Sequence, residues 1–105
     1  MAKLANELTA RILDYLLRLP HCFAFPVNTT GIPLSGGGMR SNSKRGISDI
    51  IAIINGRAVC IEVKIGNDKQ SHVQESFERS VVNAGGVYLI AKDFDSFSRS
   101  FKAIL

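Results

Sequence analysis

The sequence predicts an α/β fold: a mixed sheet with helices on both faces. Three observations carry this reading. Two β-branched runs, Asp49 to Ile54 and Arg57 to Lys64, flank Asn55-Gly56, the strongest short signal for a two-residue hairpin turn. A segment of helical periodicity separates Lys64 from a third apolar run, Val87 to Ala91, and is long enough to cross over and return the chain parallel to its predecessor. Helical stripes begin and end the chain, so the order is helix, strand, hairpin, helix, strand, helix.

The first helix spans about residues 4 to 19, with Leu4, Leu8, Ile12, Tyr15, Leu16 and Leu19 on one stripe, and Pro20 marks its end. Cys22 to Val27 is a short strand, and Pro26 confines it to an edge or an early stop. Residues 28–45 are rich in Gly, Ser, Thr and Asn and include Gly36-Gly37-Gly38. Connections this long are usually functional or disordered. They lack the Gly-Lys-Ser/Thr ending of a phosphate-binding P-loop.

After the hairpin, Ser71-x-x-Gln74 matches a capping box that starts a helix packed through Val73, Phe77, Val81 and Ala84. His72 reads as an exposed residue of the helix start. Gly85-Gly86 ends the helix and Val87 to Ala91 is read as another buried strand. Asp93 or Ser96 caps a last helix whose Phe94, Phe97, Phe101 and Ile104 serve either the core or a subunit interface.

The hairpin places chemistry. With Asn55 and Gly56 as the loop, Ile54 faces Arg57, and counting outward brings Asp49 opposite Glu62. Alternation puts Lys64 on the same face and Val63 on the other. Like charges across a strand pair repel, and a divalent cation relieves them; paired carboxylates suit Mg²⁺ or Mn²⁺. A turn Asp and a solvated Glu-x-Lys surface pair is the plain alternative. Against it, the hairpin is otherwise apolar on both faces, as for a central strand pair covered on both sides, where unpaired charge is costly.

Composition agrees with one small domain covering residues 1–105: 105 residues, 46% hydrophobic, net charge +4. A modest positive excess is compatible with a polyanion partner. No apolar run is long enough for a membrane span and no secretory leader pattern is seen, so the expected location is cytoplasmic. Cys22 and Cys60 read as buried free thiols, without the spacing of a zinc site or disulfide framework.

The ordered set Gly46-Ile-Ser-Asp49, Glu62-Val-Lys64 and Gln74 resembles the PD-(D/E)xK nuclease superfamily. Within it, the set is most similar to the virus-type replication-repair nuclease (VRR-NUC) domain, over about residues 46 to 91. The resemblance implies a restriction-endonuclease-like αβββαβ core and metal-dependent hydrolysis of DNA. It implies that Asp49, Glu62 and the Val63 carbonyl hold Mg²⁺ or Mn²⁺, that Lys64 positions or helps deprotonate the attacking water, and that Gln74 lies beside Lys64. It further implies an acidic residue from the first helix, for which Glu7 is the candidate; a solvated first-turn Glu favoured by the helix dipole is equally compatible with that position. Arg40, Lys44 and Arg45, in the glycine-rich loop before Gly46, would meet backbone phosphate. Free-standing members of this type resemble homodimeric nucleases of branched DNA, such as Holliday junctions. A non-catalytic DNA-binding module, or a small interaction protein docking through its phenylalanine helix, is the alternative.

Overall fold

Asn55 and Gly56 both adopt left-handed backbone angles, φ 52° and 80°, the requirement of a type I′ turn. They join strands whose pairing, Ile54 with Arg57 out to Ile50 with Ile61, is the register predicted from sequence. The computed structural model describes residues 2–27, 32–33, 35–36, 39–40 and 45–105.

The elements are α1 (Ala2–Leu17), β1 (Cys22–Pro26), β2 (Ile32–Pro33), β3 (Met39–Arg40), β4 (Ile50–Ile54), β5 (Arg57–Val63), α2 (His72–Asn83), β6 (Val87–Ala91) and α3 (Phe94–Ile104). Four strands form one sheet in the order β1-β4-β5-β6, while β2 and β3 pair separately. β4 is antiparallel to β1 and β5, and β6 is parallel to β5. The result is an α/β fold with a mixed sheet. No helix among the described residues is long and apolar enough to cross a membrane.

α1 stops at Leu17 rather than Leu19. Arg18 and Leu19 donate to the carbonyls three residues back, tightening the last turn as unsatisfied helix ends do. Pro20 and the left-handed His21, φ 57°, then turn the chain into β1, which lies at the sheet edge where Pro26 is tolerated.

Alternation along β4 and β5 sends Ile50, Ala52, Ile54, Val59, Ile61 and Val63 into one core with Leu8, Ile12 and Leu16 of α1 and Phe97 and Phe101 of α3. Tyr15 meets Phe94, Phe97 and Phe101 edge-on, with centroids 5.6, 6.2 and 5.9 Å away. Phe97 and Phe101 are therefore core, with Phe94 half-buried against them, and full burial of such a side chain is worth roughly 1.5–3 kcal/mol.

The opposite face departs from expectation. Both sequence faces of the hairpin are apolar, yet only one is fully covered. α2 packs over the β6 side, through Phe77 against Tyr88, and has no buried residue of its own. Across the β1 and β4 half, Phe23 and Ile53 are 61% and 46% exposed and stand side by side. Apolar alternation on two faces records hydrophobicity but not which neighbour arrives. Nor is β6 a buried strand: it is the other sheet edge, and Ile90 is exposed.

The glycine-rich loop is not irregular throughout, since β2 and β3 form a short antiparallel ladder, Ile32 with Arg40 and Pro33 with Met39. The rest of the expected flap, including Lys44, lies largely outside the described residues.

Candidate active site

Asp49 ends the stretch leading into β4. Its carbonyl accepts from Val27 N at 2.9 Å, extending the β1 ladder, while its Oδ2 accepts from Val63 N at 2.7 Å. The strand geometry explains this second bond. Lys64 N is turned toward β6, donating to Ala91 O, so the intervening Val63 directs its backbone polar groups toward the β4 side. β4 provides no further partner there, and the Asp49 carboxylate takes the N–H instead. The Val63 carbonyl shares that edge.

Glu62 follows one position earlier on β5, on the face away from the core, and is only 2% exposed. Its Oε2 accepts from Tyr88 Oη at 3.2 Å. Burial, then hydrogen-bonding contact with the Asp49 carboxyl and that group's charge, push the Glu62 pKa up to about 8, while Lys64 and Tyr88 pull the other way. The cross-strand meeting of the two acids inferred from the turn is thus present.

Lys64 is also buried, at 8% exposure. Its Nζ lies 3.7 Å from Asp68 Oδ2, and its charge reaches Glu62. Asp49, Glu62, Val63 and Lys64 therefore form one cluster, built almost entirely by a single strand and the turn that sets its register.

Sequence reasoning missed the support of this cluster. Tyr88 Oη accepts from Gln70 Nε2 at 3.3 Å, and the same nitrogen donates to Glu78 Oε1 at 3.0 Å. Burial raises the Tyr88 pKa, keeping the phenol a donor to Glu62. The chain Glu78, Gln70, Tyr88, Glu62 ties α2 and the loop before it to the acid. Its signal lay in the β5 to β6 register, which pairs Cys60 with Tyr88 and follows from no local turn.

Gln74 acts as the capping residue: its Oε1 accepts from Ser71 N at 2.9 Å and its own N–H is taken by Ser71 Oγ. The glutamine wired to the acids is Gln70. Gly46 explains the first position of the Gly-x-x-Asp pattern. It has φ 76°, and a Cβ there would run into the backbone carbonyl of Val73, so only glycine lets α2 approach the segment that delivers Asp49.

Glu7 is exposed on α1 and lines a separate groove with Arg11, Ile65, Lys92 and Phe94; no hydrogen bond or ion pair joins it to the acid pair among the described residues. Arg45 is exposed next to Gly46. Arg40 has its backbone in β3, its side chain lies outside the described residues, and Lys44 lies outside them altogether.

Among the described residues, no group of three or more His, Cys, Asp and Glu side chains is arranged around a cation position. The pair nevertheless fits a hard divalent ion by its donor chemistry. Each acid has one oxygen held by a protein donor, Val63 N–H or Tyr88 O–H, which fixes its orientation and leaves the other oxygen for a ligand role. Mg²⁺ commonly takes one or two carboxylates and completes its shell with water and phosphate. The like charges that raise the Glu62 pKa are the ones a cation relieves.

The chain matches no family model, no curated protein and no solved structure.

Proposed function

We propose that this chain is a Mg²⁺- or Mn²⁺-dependent DNA endonuclease of the VRR-NUC type, with the restriction-endonuclease-like arrangement of its αβββαβ elements. The observation that carries the reading is the juxtaposition of a buried acid, Glu62, with the half-buried Asp49 from the facing strand and with the buried Lys64 two residues along. A surface ion pair needs no such burial, and a purely structural sheet gains nothing from an acid whose burial, together with its contact with a second carboxyl, pushes its pKa up to about 8.

Asp49, Glu62 and the Val63 carbonyl would hold the ion. Bound there, it lowers the pKa of water and neutralises charge growing on the phosphate. Lys64 would orient the attacking water and, through the charge of its ammonium, favour the hydroxide that forms as the proton leaves to solvent. Tyr88 and Asp49's bond to Val63 hold the acids still, which preorganises the site. Gln74 is placed at the start of α2, and Glu7 on α1, as family-derived candidates for further contacts. Arg40, Lys44 and Arg45 would position backbone phosphate.

The proposed substrate is branched DNA, cut by a homodimer in the cytoplasm, since pairing two sites by symmetry suits a two-stranded target. The test is cleavage of a four-way junction, a flap and plain duplex with Mg²⁺ or Mn²⁺. The wild type cuts the branched substrates preferentially, and Asp49→Asn and Lys64→Ala do not cut. A wild type that binds DNA but cuts none of the three with either ion is a non-catalytic DNA-binding module.

A further inference from the structure

Beside the acid pair, Lys64, Lys69 and Lys92 face a cleft of about 220 Å³ together with Asp68, Gln70 and Ile90. Ile90 is paired with Glu62 across β5 and β6, and Gln70 donates to the tyrosine that holds Glu62. The cleft therefore shares two of its walls with the proposed cutting centre.

Its charge is unbalanced. Three ammonium groups meet one carboxylate, Asp68, which stands 3.7 Å from Lys64. Neither Lys69 nor Lys92 has an ion-pair partner among the described residues. The groove on the other side of Lys92 is different: Glu7 and Asp93 offset Arg11 and Lys92 there, which disfavours an anion. Excess cationic charge is thus focused in a cleft that adjoins the acids.

We propose that Lys69 and Lys92, over the Ile90 floor and beside Lys64, form a subsite for a phosphodiester of the bound strand, adjacent to the phosphate being cut. Lysine ammoniums are compact point charges that suit phosphate without reading bases. The identity of the anion rests on the nuclease reading; the concentration of charge does not. These two lysines extend the expected phosphate contacts to the carboxyl ends of β5 and β6.

The test is the salt dependence of binding to a labelled four-way junction in Ca²⁺, with cleavage in Mn²⁺ measured separately. Each phosphate contact contributes about 0.9 to the slope of log K against log salt, and the two lysines share one phosphodiester, so Lys69→Ala/Lys92→Ala lowers the slope by about 0.9. Lys69→Arg/Lys92→Arg keeps the wild-type slope. Lys102→Ala, at the end of α3 near the hairpin turn, also keeps it. A double alanine variant that is folded by circular dichroism and binds with the wild-type slope overturns the subsite, even if the wild type cuts DNA. A lysine-dependent slope in a wild type that cuts nothing supports the subsite and defeats the nuclease reading. Inorganic phosphate is the other source of this chemistry; saturation of the lysines by it, with no effect of the double variant on the DNA slope, overturns assignment to a strand. A wild type that binds no DNA overturns both proposals.

Discussion

The Asp49 carboxylate accepts the Val63 backbone N–H at 2.7 Å, so an acid at the mouth of one strand is anchored to the main chain of its neighbour, one residue from Glu62. The spacing of the two acids is thereby set by strand pairing rather than by a loop. Replacing Asp49 with Asn preserves an oxygen that can accept the same N–H, so the fold should remain while the charge is lost. Cleavage should fall by more than about 100-fold, since even partners outside the ligand shell change metal sites by roughly 10–100-fold. Circular dichroism and junction cleavage on one preparation check both halves. The Glu62 titration, followed by carboxyl NMR, should move down with removal of its neighbour's charge.

Stability should fall with rising pH in the metal-free protein. The folded Glu62 pKa of about 8 stands above its usual value of 4.5, so between those limits the folded state holds a proton that the unfolded state releases. This contribution is fully present below about pH 4.5 and is lost as pH rises through about 8. Denaturant unfolding at pH 6 and pH 9 should show the loss. Glu62→Gln, which cannot ionise, should flatten the dependence and make the protein more stable than wild type at pH 9.

Tyr88→Phe should leave the ring packed against Phe77 while removing the donor to Glu62 and the acceptor for Gln70. Loss of one buried hydrogen-bond partner costs about 1–3 kcal/mol, and Mn²⁺ affinity should fall roughly 10–100-fold as for other outer-shell partners. The Glu62 pKa should rise further, because Tyr88 lowers it. Unchanged Mn²⁺ affinity would show that this wiring is structural alone.

Gly46→Ala should be more damaging than its half-buried position suggests. The backbone is left-handed, and the added methyl meets the Val73 carbonyl. Strain of this kind costs about 1–3 kcal/mol, and relief requires α2 to move away from Asp49. Loss of cleavage should therefore accompany a lowered unfolding midpoint.

The sequence was legible where a local rule fixes geometry. Asn55-Gly56 admits one favoured turn, which sets the register of β4 against β5 and hence the meeting of Asp49 with Glu62. Ser71 and Gln74 announced the start of α2, and the α3 stripe located the core phenylalanines. What stayed hidden depends on contacts across the crossover, namely the pairing of Cys60 with Tyr88 and the bonds through Gln70 and Glu78, and on the side chain to backbone bond from Asp49 to Val63 across the hairpin. The exposure of Phe23 and Ile53 was hidden for a related reason, since apolar alternation is the same whether or not a helix covers that face.

The cation site itself is tested most directly by titrating Mn²⁺ into the protein at pH 7 and counting protons released. Glu62 is mostly protonated there, and a metal ligand must shed its proton. Saturable binding with release of about one proton per ion is predicted, falling toward none by pH 9 and abolished in Glu62→Gln. Binding that is equally tight in Glu62→Gln and Asp49→Asn, or that releases no proton at pH 7, would contradict the assignment of these acids to the metal.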